Sequence, residues 1–306
     1  MQRPEVLIVG AGPAGLTAGI YAARSGHRTL ILEKGLPGGQ VTFTPEVENY
    51  PGFAEPVAAM ELAQAMEEQA RRHGCEIETI EAIRLRTGDG EIELETSGPT
   101  LRPRGLIIAS GAQPRELGIK GERELRGRGV SYCAVCDGPL FRGKEVAVVG
   151  GGDSALDEAL YLAGLCSRVY VIHRRDEFRA AMMTQERVRR TENIRLVLSS
   201  VVTAITGTEK LDSIEVTDRK DGSKTVLSVS GLFIYVGSAP NTGWCQGVVD
   251  TDEAGFVRTD SLLRTNVPGV FAAGDVRATP LRQIATAVGD GALAAMTCHR
   301  YLTERP

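Results

Sequence analysis

Short apolar runs alternate with longer amphipathic segments along most of this chain. Several of the apolar runs end at a glycine, which is typical of buried parallel strands, and the amphipathic segments between them suit helices that cover such a sheet. Strands are predicted over residues 5–9, 28–32, 76–87, 91–96, 105–112, 145–149, 168–172, 231–237 and 270–275, with further strand-like stretches between 194 and 229. Helices are predicted over residues 16–25, 58–72 and 284–302, and from the turn at 150–152 to about 165. The pattern therefore predicts an α/β fold.

The first strand leads into a glycine-rich turn that is typical of dinucleotide-binding units. The turn includes Gly10, Gly12, Pro13, Ala14 and Gly15. Glycines at this spacing permit a sharp turn, a close approach of the backbone to a pyrophosphate and tight helix packing, while the helix N-terminus attracts phosphate. The second strand is followed by Glu33 and Lys34, and Glu33 lies at the distance expected for the acid that binds the adenosine ribose. We predict a dinucleotide site here, with a purely structural glycine turn as the alternative.

The same strand, turn and helix recur 140 residues later. The second turn includes Gly150, Gly152, Asp153 and Ser154. Glu33 lies 23 residues after Gly10, and His173 lies 23 residues after Gly150. A basic run replaces the ribose-binding acid, and it comprises His173, Arg174, Arg175 and Arg179. Because cations accommodate a 2′-phosphate, this second site is predicted to bind NADPH. The alternative, a solvated basic helix face, fits residues 187–190 better.

Two similar segments mark the ends of the second unit. Each is an apolar strand that ends in glycine and is soon followed by a proline, at Pro114 and at Pro240. A chain of 306 residues is long enough for two domains. We therefore predict that residues 114–241 form one domain inserted into another, which consists of residues 1–113 and 242–306.

The bulk composition excludes several classes of function. The net charge of −4 gives no global attraction to nucleic acid or to an acidic membrane. The apolar run over residues 6–23 contains the first glycine turn, so it fits strand, turn and helix better than a signal peptide or a membrane span. We predict neither a targeting segment nor a membrane span. Four of the six cysteines are isolated and indicate small buried side chains, which suits a reducing cytosol; they are Cys75, Cys166, Cys245 and Cys298.

The other two cysteines, Cys133 and Cys136, form a Cys-x-x-Cys motif just before the second glycine turn. Such a pair can close a small disulfide or present an activated thiolate, and half of a zinc site is the alternative. Zinc would need two more ligands, and the remaining cysteines and the four histidines offer no paired spacing, so no metal is predicted. Asp137 is the candidate proton donor or acceptor for a departing thiolate; an ordinary acid at a helix N-terminus is the alternative.

Taken together, these motifs resemble the low-molecular-weight thioredoxin reductases over residues 5–302. The resemblance implies two Rossmann-like dinucleotide-binding domains, with an NADPH domain that contains the disulfide inserted into an FAD domain. It implies that the first glycine turn and Glu33 hold the adenosine and pyrophosphate end of FAD. Further FAD contacts are implied at Gly39, Gln40, Asn49, Gly111, Gly274, Asp275, Arg282, Gln283 and Ile284. Val135 is a departure, since many relatives have threonine there.

The activity that the resemblance implies is thioredoxin-disulfide reduction. NADPH reduces FAD, FAD reduces the Cys133–Cys136 disulfide, and the dithiol reduces oxidised thioredoxin by thiol–disulfide exchange. The resemblance assigns Cys136 to the flavin side and Cys133 to attack on the partner, and it implies a cytoplasmic homodimer. Arg128, Leu140 and Phe141 resemble the thioredoxin contact region, although a solvated charge and a small core patch explain them equally well.

Two alternatives remain open from the sequence. One is a flavoprotein reductase of another protein disulfide, or one fed by a donor other than NADPH; the intact basic run argues against a changed donor. The other is a non-catalytic module that binds both nucleotides and senses redox state. Only the sensing module would tolerate serine at both Cys133 and Cys136.

Overall fold

The structure is a computed structural model that describes residues 4–43, 46–88 and 90–304. The α-helices of this part of the chain are α1 (Pro13–Arg24), α2 (Ala59–Arg72), α3 (Ala134–Asp137), α4 (Asp153–Ala163), α5 (Met182–Arg190) and α6 (Ile284–Glu304). Its first ten strands are β1 (Val6–Val9), β2 (Thr29–Glu33), β3 (Glu46–Val47), β4 (Val57–Ala58), β5 (Glu76–Thr79), β6 (Ala82–Gly88), β7 (Glu91–Thr96), β8 (Gly105–Ile108), β9 (Ala112–Pro114) and β10 (Val130–Ser131). The later strands are β11 (Glu145–Gly150), β12 (Arg168–Ile172), β13 (Ile194–Val197), β14 (Ser200–Thr206), β15 (Ser213–Asp218), β16 (Lys224–Ser228), β17 (Gly231–Tyr235), β18 (Ser238–Pro240) and β19 (Val270–Ala272).

The chain divides into two compact units. The first contains the residues up to Gln113 and those from Ala239 onward, and the second is the continuous stretch Pro114–Ser238. Each unit has its own parallel sheet and its own hydrophobic clusters.

The first unit is built on a parallel sheet of strand order β19-β8-β1-β2-β5. Successive side chains of a strand point to opposite faces. Val6 and Ile8 of β1 join the cluster formed with α1, α2 and α6, whereas Leu7 and Val9 join the cluster on the other face, which includes Leu94 of the β6–β7 hairpin. Because both faces are covered, β1 is apolar at every position, as its continuous apolar run predicts.

The second unit repeats this arrangement with the strand order β10-β17-β11-β12-β13. Here β11 has the place of β1, with β12 and β13 on one side and β17 on the other. Val146 and Val148 join a cluster that includes residues of α4 and α5. Ala147 and Val149 join a cluster that includes residues of the antiparallel strands β14 and β15. The predicted α/β class and the internal repeat are therefore confirmed.

Several predicted element bounds differ from those observed. The strand predicted over 76–87 is two elements, β5 in the parallel sheet and β6 in a hairpin. The first helix begins at Pro13 rather than at residue 16, because Gly12 serves as the N-cap and proline suits the first helical position. Residues Gly39–Phe43 form a 3-10 helix.

Helix α6 packs against α1 through its small residues. Ala287, Gly291 and Ala295 of α6 are buried. A Cβ atom at Gly291 would lie 2.2 Å from the carbonyl oxygen of Ala14, so the two helix backbones approach too closely for any larger residue. No helix in the described ranges is long and apolar enough to cross a membrane.

Candidate active site

The first glycine turn has the geometry that a pyrophosphate requires. Gly10 has φ +107°, and a Cβ atom there would lie 2.3 Å from the carbonyl oxygen of Ala109. The N-cap of α1 is Gly12, which has no side chain that could cap the helix, and the first turn of α1 contains no acid. The N–H groups at this end of α1 therefore have no side-chain competitor for a phosphate.

Glu33 lies at the same turn, although it is distant in sequence. Its Oε2 accepts a hydrogen bond from the backbone N–H of Ala11 at 2.8 Å, and its Oε1 accepts one from Gly35 at 3.0 Å. The carboxylate thus fixes the glycine turn against the end of β2, and its remaining lone pairs are able to accept hydrogen bonds from ribose hydroxyls. Lys34, which follows it, is exposed.

A second group of predicted residues meets this turn from the C-terminal part of the chain. Gly274 begins a 3-10 helix (Gly274–Val276), and a Cβ atom on it would lie 2.8 Å from the Cβ of Ala14. The backbone N–H of Gly274 donates to Asp290 Oδ2 at 3.0 Å, and Arg277 Nε donates to the same oxygen at 2.8 Å. Sequence reasoning missed Arg277 and Asp290, which hold the Gly274 segment on α6.

Asp275 has the electrostatic properties expected of a ligand-binding carboxylate. Burial raises the pKa of Asp275 to about 6; the positive charge of Arg282 opposes the shift and the negative charge of Asp290 adds to it. Among the described residues, none stabilises the Asp275 carboxylate by donating a hydrogen bond to it. A buried carboxylate in this condition fits a ligand that offers hydroxyl donors.

Arg282 supports the Asp275 segment. Its Nε donates to the carbonyl oxygen of Asp275 at 3.3 Å and its Nη2 to that of Arg277 at 3.2 Å. The guanidinium lies 4.1 Å from the centre of the Phe256 ring, and burial lowers the pKa of Arg282. This side chain therefore holds two backbone carbonyls as well as lying beside Asp275.

The remaining predicted FAD contacts also belong to the first unit. Asn49 Nδ2 donates to Gln283 Oε1 at 3.1 Å, so these two residues lie together just before α6, whose first residue is Ile284. Gly39 lies against the first glycine turn, and Gln40 follows it as an exposed residue of the same 3-10 helix. The carbonyl oxygen of Gly111 accepts a hydrogen bond from the backbone N–H of Asn241 at 3.0 Å.

The second glycine turn is tied to the basic loop that follows β12. The N-cap of α4 is Gly152, which has no side chain that could cap the helix. Asp153 Oδ1 accepts a hydrogen bond from the backbone N–H of Ala181 at 2.7 Å, and the N–H of Arg179 donates to the carbonyl oxygen of Gly151 at 2.8 Å. Asp153 therefore fixes the loop, while Ser154 beside it is exposed.

The basic run divides into one buried histidine and three exposed arginines. His173 is only 6% exposed; its ring packs on Gly151 and lies 5.5 Å from that of Phe178. Burial, together with the neighbouring arginines, lowers the pKa of His173, and a backbone hydrogen bond at Glu177 opposes the shift. The imidazole is therefore neutral near pH 7, and the positive charge is supplied by the exposed arginines Arg174, Arg175 and Arg179.

The predicted dithiol pair forms a disulfide in the second unit. The two sulfurs of Cys133 and Cys136 are 2.17 Å apart and the Cα atoms 5.3 Å apart. Cys133 is the N-cap of α3, and its Sγ accepts a hydrogen bond from the N–H of Cys136 at 3.2 Å. The N–H of Ala134, which is fully buried, donates to Tyr235 Oη at 2.5 Å. The central sheet thus anchors the disulfide through β17.

Polar side chains flank the disulfide on both sides. The Ser131 hydroxyl donates to Asp137 Oδ2 at 2.7 Å, and the Tyr132 hydroxyl donates to Glu122 Oε1 at 2.7 Å. Burial and the Glu122 carboxylate both raise the pKa of Tyr132, and the guanidinium of Arg126 lies 5.0 Å from the centre of its ring. Sequence reasoning found only Asp137 among these residues, since nothing in the local pattern marks the others.

The four isolated cysteines lie apart from this chemistry. All four are buried and unpaired. Burial raises the thiol pKa to about 11 for Cys75 and Cys166 and to about 12 for Cys245 and Cys298. Within the described ranges, no group of three or more histidine, cysteine or acidic side chains could hold a metal ion.

The three residues compared with a thioredoxin contact region differ in their surroundings. Leu140 is exposed, whereas Phe141 packs edge-to-face on Phe233 with the ring centres 5.4 Å apart. Arg128 is exposed and donates to the carbonyl oxygen of Glu124. Phe141 therefore belongs to the core of the second unit, and only Arg128 and Leu140 present substantial surface.

Comparison with known proteins identifies the family. The sequence profile of the family "Pyridine nucleotide-disulphide oxidoreductase" matches residues 4–291. The thioredoxin reductase of Listeria innocua is 45% identical over 302 residues, which are 98% of this chain and 94% of that protein. The chain belongs to the thioredoxin reductase family. The thioredoxin reductase of Bacillus subtilis is 41% identical over 98% of this chain and 95% of its own length. The crystal structure of thioredoxin reductase from Streptococcus pyogenes MGAS5005 matches with a TM-score of 0.93 and 42% identity, covering 99% of each chain.

Membership of this family confirms the predicted resemblance and the predicted class of enzyme. The chain is an oxidoreductase of the thioredoxin reductase family, and that family implies flavin and nicotinamide cofactors. The comparisons support a thioredoxin reductase over a redox-sensing module and over a reductase of some other disulfide. The roles of the individual residues remain predictions.

Proposed function

We propose that this thioredoxin reductase family member reduces oxidised thioredoxin with electrons from NADPH, and that its flavin is FAD. The observation that most directly supports this proposal is the Cys133–Cys136 disulfide, which lies in the same unit as the second glycine turn and its three exposed arginines. A cytoplasmic homodimer is proposed on the family resemblance alone.

The first unit offers a fitting set of groups for FAD. The uncapped N-terminus of α1 and Glu33 would hold the pyrophosphate and the adenosine ribose. Asp275, with its raised pKa, and the pair formed by Asn49 and Gln283 would hold the ribityl chain and the ring. Bound FAD would supply the two-electron chemistry that links a nicotinamide to a disulfide.

The second unit offers groups that distinguish NADPH from NADH. Glu33 lies 23 residues after Gly10 of the first turn, and its carboxylate accepts hydrogen bonds. At the corresponding position after the second turn the chain has His173, and Arg174 and Arg175 follow it. Guanidinium groups bind phosphate through charge-assisted hydrogen bonds. Arg174, Arg175 and Arg179 would therefore hold the 2′-phosphate, while the buried, neutral His173 shapes the turn.

The dithiol completes the reaction by two exchange steps. The Cys133 thiolate attacks one sulfur of the thioredoxin disulfide, which breaks that bond and leaves a mixed disulfide. The Cys136 thiolate then attacks the Cys133 sulfur, which releases reduced thioredoxin and restores the Cys133–Cys136 bond. The N–H of Cys136, 3.2 Å from Cys133 Sγ, would stabilise negative charge on the attacking sulfur. Asp137 would hold or supply the proton that the departing thiolate needs.

An anaerobic titration of the purified protein tests this proposal. We expect a yellow flavoprotein that bleaches with NADPH in preference to NADH and then passes its electrons to oxidised thioredoxin. Cys133→Ser and Cys136→Ser should abolish turnover, whereas Cys75→Ala, which alters a buried isolated thiol, should retain it. A colourless protein, or full disulfide-reducing turnover with serine at both positions, would overturn the proposal. Reduction of other protein disulfides but not of thioredoxin would overturn only the choice of partner.

A further inference from the structure

The Ser131 hydroxyl joins the first cysteine of the disulfide to the candidate acid. Ser131 is the last residue of β10 and pairs with Phe233 of β17, so the central sheet of the second unit fixes its backbone. The residue is 4% exposed. Its Oγ lies 2.7 Å from Asp137 Oδ2, 3.1 Å from the backbone nitrogen of Cys133 and 3.3 Å from the carbonyl oxygen of Cys133.

The direction of these hydrogen bonds follows from the chemistry of a hydroxyl group. A serine hydroxyl has one proton to donate and two lone pairs that accept. The N–H of Cys133 donates to one lone pair, and the hydroxyl proton goes to Asp137, whose carboxylate is closer and more negative than the Cys133 carbonyl. Accepting one hydrogen bond strengthens the donation of the other.

The backbone of Asp137 is fixed to the same residue. Its N–H donates to the carbonyl oxygen of Cys133 at 3.0 Å. The main chain of Asp137 is therefore bonded to Cys133 directly, and its carboxylate is bonded to Cys133 through Ser131. A side chain held at both ends in this way has little freedom to move relative to the cysteine backbone.

Other charged and titratable groups surround Asp137 from the neighbouring elements. The guanidinium of Arg126, in the segment before β10, interacts with its carboxylate. Tyr235 of β17 lies near enough for Asp137 to affect its pKa, and Glu158 of α4 affects the same tyrosine. Ser131 is uncharged, so replacing it with alanine removes a hydrogen bond to Asp137 and leaves the local charge unaltered.

We infer that Ser131 is a positioning residue for proton transfer at the disulfide, and that its hydroxyl holds the Asp137 carboxylate in the place from which a sulfur is protonated. This inference rests on the proposed function, since it requires Asp137 to act as an acid or base. Reduction of Cys133–Cys136 breaks one S–S bond and consumes two electrons, which come from the nicotinamide donor, and two protons. One proton passes from the Asp137 carboxyl to one sulfur, the second comes from solvent water to the other sulfur, and the Ser131 hydroxyl stabilises the carboxylate that remains.

The test compares Ser131→Ala with Asp137→Asn and with the double variant in NADPH-dependent thioredoxin reduction. We expect Ser131→Ala to lower kcat about tenfold while the KM for thioredoxin stays within about twofold. In the Asp137→Asn background, Ser131→Ala should cost nothing further, since asparagine has no carboxyl proton for the hydroxyl to position.

Two comparisons separate this role from a structural one. Ser200→Ala removes an equally buried hydroxyl, which donates to the carbonyl oxygen of Leu198 at 2.8 Å, and should leave kcat unchanged. Threonine and valine at position 131 have the same shape and differ in the hydroxyl, so Ser131→Thr and Ser131→Val give the same comparison should alanine weaken the fold. Threonine should retain the kcat of the unaltered protein and valine should not.

The outcomes are distinct. Loss of turnover in Asp137→Asn with an unchanged kcat in Ser131→Ala overturns the inference on Ser131 alone, and so do additive losses in the double variant. Full turnover in Asp137→Asn overturns the proton role of Asp137 and this inference with it. Absence of thioredoxin reduction by the unaltered protein overturns the proposed function itself.

Discussion

Replacing Glu122 with glutamine should loosen the loop that precedes the disulfide. Glu122 is 1% exposed, and both of its oxygens are occupied. Its Oε1 accepts hydrogen bonds from the N–H of Leu117 at 2.8 Å and from the Tyr132 hydroxyl at 2.7 Å. Its Oε2 accepts one from the N–H of Gly118 at 2.8 Å and a longer one from Ile119 at 3.4 Å. Glutamine turns one acceptor into an NH₂ group, which would face these donors.

The magnitude follows from the hydrogen bonds that are lost. A hydrogen bond to a charged group contributes about 1.5–3 kcal/mol, and a buried donor left without an acceptor costs about 1–3 kcal/mol. Whichever way the amide is oriented, Leu117 or Gly118 loses the acceptor of its N–H. We therefore expect the free energy of opening this loop to fall by about 3 kcal/mol, which corresponds to amide exchange on the order of 100-fold faster.

Hydrogen–deuterium exchange on peptides that span residues 115–133 measures this opening directly, without assuming that two units unfold in one step. Glu116→Gln is the matched control, because Glu116 is exposed and pairs with Arg123 at 2.8 Å on the surface. Such pairs contribute no more than about 1 kcal/mol, so its exchange should change less than about fivefold. Exchange in Glu122→Gln within about threefold of the unaltered protein would refute the reasoning.

Cofactor binding and pH dependence give three further tests. Arg175→Ala should raise the KM for NADPH about 10–100-fold and leave the KM for NADH within about twofold, because a charge-assisted bond to the 2′-phosphate is lost. Steady-state kinetics measure both KM values, with Arg189→Ala as the control. An equal rise in KM for both nucleotides would contradict this expectation. Gly291→Ala should abolish flavin retention, since its Cβ would lie 2.2 Å from a carbonyl oxygen of α1. Gly289→Ala is the control, because a Cβ at that position meets open space. Flavin absorbance per protein measures retention, and equal flavin content in the two variants would exclude this reasoning. Burial raises the pKa of Glu158 from 4.5 to about 7, so its contribution to the stability of the second unit is greatest below pH 4.5 and is lost as the pH rises through 7. Glu158→Gln should remove this dependence of stability on pH. The change involved is no more than about 2 kcal/mol, because the site is partly exposed. Amide exchange of α4 at several pH values measures it, and an unchanged pH dependence would count against the reasoning.

The features that the sequence predicted are those that local patterns determine. The continuous apolar run of β1 requires both faces to be covered, and the clusters on its two faces show that they are. Gly10 is needed because a Cβ atom there would meet the carbonyl oxygen of Ala109, which follows β8, and the same turn recurs at Gly150. The relation of Glu33 to the first turn also followed from spacing, although its hydrogen bond to Ala11 did not.

The features that the sequence did not predict depend on contacts between distant residues. Tyr235 meets Ala134 across 101 residues, and Glu122 meets Tyr132 across 10, with no periodicity to indicate either pair. The division of 76–87 into two strands is likewise set by a distant contact, since the N–H of Ile80 donates to the carbonyl oxygen of Glu33. Ile77 and Ile80 are three residues apart, so strict alternation is interrupted at this break.

The split composition of the first unit has a consequence for biosynthesis. Its sheet lacks the edge strand β19, and α1 lacks its packing partner α6, until residues 270–304 have been made. The second unit is one uninterrupted stretch, so its sheet and its disulfide loop are complete while translation continues. The second unit can therefore fold while the first unit still waits for β19 and α6 to be made.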